Sequence, residues 1–88
     1  MGWEIIVFKG IIELQLQVEL IYFSNQIERY KVSGGSNAIV LQTDYPLQIR
    51  TTKNKGKVKW KLIEGSIDDA TLLMRIMHEL ERIVKGKM

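Results

Sequence analysis

The sequence predicts an α+β fold, in which an antiparallel β-meander of five to six strands precedes one C-terminal amphipathic helix packed on one sheet face. Three observations lead to this prediction: apolar and polar residues alternate along residues 12–23, short polar turns separate the later apolar segments, and apolar residues recur at helical spacing near the C-terminus. Because a single helix covers one sheet face, the other face is expected to stay open unless a second copy covers it. The 88 residues are expected to form one domain, 1–88.

The first two strands come from the N-terminal quarter of the chain. Trp3–Phe8 is mostly apolar and predicts a strand, with Lys9 and Gly10 forming a turn or bulge after it. Ile12–Phe23 is the clearest strand, because apolar residues at even positions, up to Tyr22, alternate with glutamates and glutamines. Unbroken, it would span about 40 Å, whereas a compact sphere of this chain length is only about 31 Å across. We therefore expect it to bend at a bulge, to curl strongly, or to project into a partner subunit.

The next strand returns antiparallel to the long one. Ser24–Gln26 is a short polar break, and Ile27–Val32 predicts the returning strand. We favour a three-residue loop, because a two-residue loop would place Glu19 opposite Tyr30 and expose apolar side chains. The longer loop sets two apolar pairs, Val18 with Val32 and Leu20 with Tyr30.

Turn residues divide the middle of the chain. Ser33–Asn37 contains two glycines but lacks the helix start and lysine of a phosphate-binding loop, so it is interpreted as a hairpin turn. Proline in Asp44–Pro46 favours a bend after the strand that precedes it. The predicted strands here are Ala38–Thr43, Leu47–Thr52 and Lys57–Ile63, the last two joined by the loop Lys53–Gly56.

The C-terminal segment predicts an amphipathic helix. Ser66 is the expected N-cap, with Asp69 at the third helical position as in a capping box. The polar side includes Arg75, His78 and Glu79, and Arg75 is placed to pair with Glu79 one turn away. The apolar stripe consists of Leu73, Ile76, Met77, Leu80, Ile83 and Val84.

The positive charge of the chain is concentrated in one segment. The net charge is +3, and residues 50–61 hold six basic residues and no acidic one, whereas the rest of the chain is mildly acidic. These six are the candidate residues for binding an anion or a nucleic acid: Arg50, Lys53, Lys55, Lys57, Lys59 and Lys61.

Two interpretations of this basic segment remain open. It contacts nucleic-acid phosphates, or its lysines protect an exposed strand edge from aggregation. The predicted hairpin places Arg50 opposite Lys59, an unfavourable pair unless an anionic group lies beside it. Trp60 shares the apolar side of its strand and is expected in the core, so Tyr45 is the better candidate for stacking on a base.

The composition argues against several other classes of protein, namely metalloproteins, enzymes, secreted proteins and membrane proteins. The chain has no cysteine and one histidine, His78, so it lacks the usual ligands of a transition-metal site. We therefore expect no metal or cofactor. No serine is placed beside a base, so we expect no enzyme. We expect neither a leader peptide nor a membrane span, and a cytoplasmic location.

The sequence therefore favours a small non-enzymatic module that self-associates as a homodimer, through a sheet surface or the C-terminal helix. The alternative is a nucleic-acid-binding protein that uses the basic β-surface without strong sequence specificity.

Overall fold

A computed structural model describes residues 2–34, 37–47 and 59–86. Within these ranges, five antiparallel strands form one sheet in the order β1-β2-β3-β4-β5, and the C-terminal helix packs against β1. The predicted α+β class, with an antiparallel meander and a C-terminal helix, is confirmed. The elements are β1 (Gly2–Lys9), β2 (Ile12–Phe23), β3 (Glu28–Gly34), β4 (Asn37–Thr43), β5 (Trp60–Glu64) and the C-terminal helix (Ala70–Gly86), and residues 45–47 are also helical.

Strands β1 and β2 are joined by a tight turn at Gly10 and Ile11. Lys9 pairs with Ile12, which leaves two residues in the loop. Gly10 has a φ of 64°, and among the described residues no residue other than glycine has a positive φ. A positive φ at only the first loop residue is typical of a type II′ hairpin, whose twist matches that of its strands. The turn predicted at Lys9 and Gly10 is therefore present, one residue later than expected.

Strand β2 contains a bulge near its C-terminal end. Val18 pairs with Val32 and Leu20 with Tyr30, as predicted, but the register then shifts and Tyr22 pairs with Arg29. Ile21 is thus an extra residue, and the loop to β3 has four residues instead of the predicted three. The bulge turns Tyr22 to the sheet face opposite Tyr30, although the alternation placed it on the apolar face.

The molecule is elongated, with principal-axis extents of 39 × 22 × 21 Å. An elongated domain accommodates a long strand that a sphere of the same mass would not. Together with the bulge, this shape removes the need for β2 to project into a partner, so the strand length alone no longer supports self-association.

Strand β5 pairs directly with β4. Thr43 pairs with Trp60, so β5 occupies the place next to β4 that the predicted meander gave to residues 47–52. Leu47, where that strand was predicted to begin, is helical. The rest of the predicted hairpin, including the pairing of Arg50 with Lys59, involves residues outside the described ranges.

The core lies between one sheet face and the apolar stripe of the helix. Tyr30, Leu41 and Leu80 are completely buried. Two tilted aromatic contacts cross the sheet, with ring centroids of Tyr30 6.0 Å from Trp3 and 5.9 Å from Trp60. The predicted stripe is confirmed: Ile76, Leu80 and Val84 are buried, and Leu73, Met77 and Ile83 pack against the same cluster.

The start of the helix differs from the prediction. The first helical residue is Ala70, and Asp69 Oδ1 accepts the backbone N–H of Leu72 at 3.0 Å. Asp69 is therefore the N-cap, and the prediction of Ser66 was wrong. A carboxylate directly before the first turn reaches the N–H of the third helical residue, which is the usual capping geometry.

The ion pair observed on the polar side of the helix also differs from the predicted one. Glu79 pairs with Arg82, at 3.3 Å, instead of with Arg75. Arg75 Nη1 instead donates a hydrogen bond to the carbonyl oxygen of Phe8, in β1. The helix is thereby tied to the edge of the sheet.

Candidate binding surface

The sheet face turned away from the helix is called the open face. Its members follow from the strand register, because paired residues share a face and neighbours along a strand alternate. Most of these side chains are exposed, although Val40 is buried with 6% of its surface accessible. The open face consists of Glu4, Ile6, Phe8, Glu13, Gln15, Gln17, Glu19, Tyr22, Arg29, Lys31, Ser33, Ala38, Val40, Gln42, Lys61 and Glu64.

Most acidic residues of the open face lie apart from its cations, with Glu64 on β5 as the exception. Its three acidic residues on β1 and β2 are Glu4, Glu13 and Glu19, whereas its cationic residues lie on β3 and β5. Within the described part of the chain, the ion pairs are Arg82–Glu79 and Lys85–Glu81, both on the helix. The cations of the open face therefore have no carboxylate within ion-pair distance among these residues.

One row of the open face combines cations with an aromatic ring. Tyr22 pairs with Arg29, Arg29 with Gln42, and Gln42 with Lys61, so four neighbouring strands each contribute one residue. The Arg29 guanidinium carbon lies 5.2 Å from the Tyr22 ring centroid, and Arg29 Nε donates to Gln42 Oε1 at 2.8 Å. These contacts hold the guanidinium over the ring. We call this set the Tyr22–Lys61 row.

Two of the six predicted basic candidates fall within the described residues. Lys61 is exposed on the open face as part of the row, and Lys59 is exposed directly before β5. No described carboxylate forms an ion pair with either lysine. The other four candidates, Arg50, Lys53, Lys55 and Lys57, lie outside the described ranges.

The two aromatic residues near the basic segment both contact the core. Trp60 packs against the core, as predicted, with its ring next to that of Tyr30. No described acceptor lies within hydrogen-bond distance of its buried Nε1. Tyr45 is half-buried and packs against the same cluster. The open face instead presents two aromatic rings, those of Tyr22 and Phe8, which are 46% and 47% exposed, and Tyr22 is the one that lies beside a cation of that face. The sequence analysis missed Tyr22 and Arg29, because the alternation alone does not reveal the bulge at Ile21.

Strand β1 forms one edge of the described sheet and is unusually apolar for an edge. Ile6 and Phe8 are 48% and 47% exposed on the open face, and Ile11 and Ile12 project from the turn. Edge strands are commonly protected by lysine, proline or a bulge. In β1 the one lysine is the last residue, Lys9, no residue is a proline, and the strand pairs with β2 without a register shift.

The backbone of β1 also presents unpaired groups. Lys9 and Ile12 flank a two-residue hairpin loop and form a hydrogen-bonded pair. Because hydrogen-bonded and non-hydrogen-bonded pairs alternate in antiparallel sheets, Glu4, Ile6 and Phe8 direct their N–H and C=O groups away from β2. The hydrogen bond from Arg75 to the Phe8 carbonyl agrees with this geometry. Among the described residues, that carbonyl is covered, and the groups of Glu4 and Ile6 are not.

Tyr30 is the one described residue with a clearly perturbed pKa. Its hydroxyl donates to Glu28 Oε1 at 2.7 Å, and burial, reinforced by that carboxylate, raises the pKa of the Tyr30 phenol well above its ordinary value. The ring is buried on the core face. This arrangement keeps the phenol neutral, and its role is structural.

A groove of about 600 Å³ lies between the start of the helix and the sheet. Half of its described lining residues are aliphatic, Leu14, Leu16 and Leu72 among them, and one of its two carboxylates, Asp69, already caps the helix. Within the described ranges, no group of three histidine, cysteine or acidic residues is arranged to hold a metal ion. No helix there has the length and apolar character needed to cross a membrane.

A scan against protein-family models found no match to this chain, and neither did searches of curated proteins and of solved structures.

Proposed function

We propose that the protein is a small non-enzymatic module that self-associates as a homodimer through the edge of β1. The observation that carries this proposal is an eight-residue edge strand with exposed apolar side chains and uncovered backbone groups. An edge of this kind is a template for another strand. A second copy of β1 offers a matching edge, because antiparallel pairing of identical strands follows a two-fold axis.

The outward-facing backbone groups allow more than one register, and an axis at Ile5 avoids setting the Glu4 carboxylates of the two copies opposite each other. Placing the two-fold axis at Ile5 sets Glu4 opposite Ile6 of the partner subunit, and Ile6 opposite the partner subunit's Glu4. Both pairs use outward-facing groups, so they form four hydrogen bonds without displacing Arg75 from Phe8. The two sheets then become one continuous sheet. The same contact withdraws part of each exposed Ile6 side chain from water.

The non-enzymatic part of the proposal rests on the side-chain chemistry. The chain contains one histidine, His78, which is exposed on the helix. A cysteine-free chain is compatible with a reducing cytosol, so a cytoplasmic location stays a prediction.

Sedimentation equilibrium across a concentration series tests the dimer. The monomer mass is 10.2 kDa, and we expect the wild type to approach twice that mass. Ile6→Lys places a charge on the edge and should yield a monomer. Gln15→Lys is the matched control, because Gln15 pairs with Ile6 on the same face but lies one strand away from the edge.

A wild type that stays monomeric at every concentration would refute the proposal. Equal dissociation by Gln15→Lys and Ile6→Lys would show that the open face, and not the edge, holds the copies together.

A further inference from the structure

The Tyr22–Lys61 row lies at a distance from the β1 edge and has chemistry of its own. It crosses from β2 to β5, which spans three strand spacings, or about 14 Å. That length equals about four nucleotides at the ~3.4 Å rise of a stacked strand. The row carries two positive charges and no acidic residue.

We propose that the Tyr22–Lys61 row is a binding site for single-stranded nucleic acid. Tyr22 supplies a half-exposed ring, and Arg29 supplies a planar guanidinium held over one side of that ring. Both are groups on which unpaired bases stack. Lys61, with Lys59 beyond it, supplies ammonium groups for phosphates. The site is complete within one chain, so it does not depend on the homodimer.

Acidic residues define the direction of the bound strand. In the adjacent row, Lys31 pairs with Glu19 on one side and with Val40 on the other, and Val40 pairs with Glu64. The carboxylates of Glu19 and Glu64 repel phosphates. The nucleic-acid backbone therefore follows the Tyr22–Lys61 row across the strands instead of running parallel to them.

The combination of groups favours unpaired nucleic acid over other anions. An acidic peptide would need only the cations and would leave the Tyr22 ring unused. A duplex keeps its bases stacked inside, where Tyr22 has no access to them. Stacking on Tyr22 is therefore the property that separates the candidates.

Fluorescence anisotropy with labelled oligo-dT and oligo-U, and with a duplex of equal length, tests the site. Tyr22→Ala should weaken binding of both single strands about 5- to 150-fold, the range for loss of one stacked base. Phe8→Ala is the matched control: Phe8 is 47% exposed on the same face, against 46% for Tyr22, yet lies outside the row. Its affinity should equal that of the wild type.

The salt dependence tests the phosphate contact. Lys61→Gln should reduce the slope of log affinity against log salt by about 0.7, the value for one phosphate on a single strand. Lys85→Gln removes a lysine that pairs with Glu81 on the helix and should leave the slope unchanged. Circular dichroism of each variant verifies that it is folded.

Several outcomes would overturn the site. These are no binding to any oligonucleotide, duplex binding as tight as single-strand binding, an equal loss for Tyr22→Ala and Phe8→Ala, and binding that a polyglutamate competitor abolishes at equal charge. Since Ile6→Lys is expected to be monomeric, persistence of the Tyr22 effect in that background separates failure of the site from failure of the dimer.

Discussion

Gly65 offers the sharpest test of how β5 is joined to the helix. It follows β5 directly, and its φ of 84° lies in the region that side chains rarely adopt. A Cβ built there would lie 2.5 Å from the carbonyl oxygen of Ala38 and 2.9 Å from Ile39 Cγ2. Gly65→Ala therefore combines backbone strain with a clash against the backbone of β4.

The magnitude follows from comparison with Gly10. Gly10 also has a positive φ, 64°, but a Cβ there meets nothing within 4 Å. Gly10→Ala should thus cost only the positive-φ strain, about 1–2 kcal/mol. Gly65→Ala adds the forced shift of a packed strand, about 1–3 kcal/mol. In a domain of this size, that difference corresponds to a melting temperature lower by roughly 4–24 °C than that of Gly10→Ala.

Urea and thermal unfolding, followed by circular dichroism, measure both variants against the wild type. Gly86→Ala serves as a further control, because a Cβ at Gly86 also meets nothing within 4 Å and its φ is not positive. If Gly65→Ala is no less stable than Gly10→Ala, Gly65 does not approach β4 as closely as described, and the clash with Ala38 and Ile39 does not occur.

Two further predictions concern stability. Asp69→Ala should destabilise the protein by about 1 kcal/mol through loss of the cap on the Leu72 N–H, whereas Ser66→Ala should leave its urea midpoint unchanged; the reverse result would restore the cap predicted from the sequence. Because folding raises the pKa of Tyr30, the folded state keeps a proton that the unfolded state releases above about pH 10, and stability falls there by about 1.4 kcal/mol per pH unit. Tyr30→Phe removes this pH-dependent contribution. Below pH 10 the variant should be less stable than the wild type, because the hydrogen bond to Glu28 is lost, and this difference in unfolding free energy should narrow above about pH 10. A difference that stays constant in urea titrations below and above pH 10 would contradict the raised pKa of Tyr30.

The strand pattern predicted the sheet well where side chains alternate against water. The bounds of β2 were predicted to the residue, and the pairing of Val18 with Val32 follows from keeping apolar side chains together. The helix stripe was equally clear, because burial of one face imposes its spacing on the sequence. The residue that caps the helix was harder to predict, because two nearby residues compete for that role. Ser66 and Asp69 are both good caps, and which one is used depends on where the chain leaves β5.

The candidate surfaces were only partly visible in the sequence. The lysines of residues 50–61 were evident as a charge run, and two of them, Lys59 and Lys61, lie in the described structure. Their neighbours on the open face were not evident. Tyr22 and Arg29 are seven residues apart in the chain, and they meet only because the bulge at Ile21 shifts the register.

The fold class, the antiparallel pairing from β1 to β4, the buried stripe of the helix and the presence of a basic segment were thus evident in the sequence, since each of these depends on residues close together in the chain. Only the tertiary structure decided which groups share a surface. The bulge turned Tyr22 to the open face, and the pairing of β5 with β4 placed Lys61 in its row. A two-residue period specifies which side chains alternate, but one inserted residue inverts the alternation, and long-range pairing decides where that residue lies.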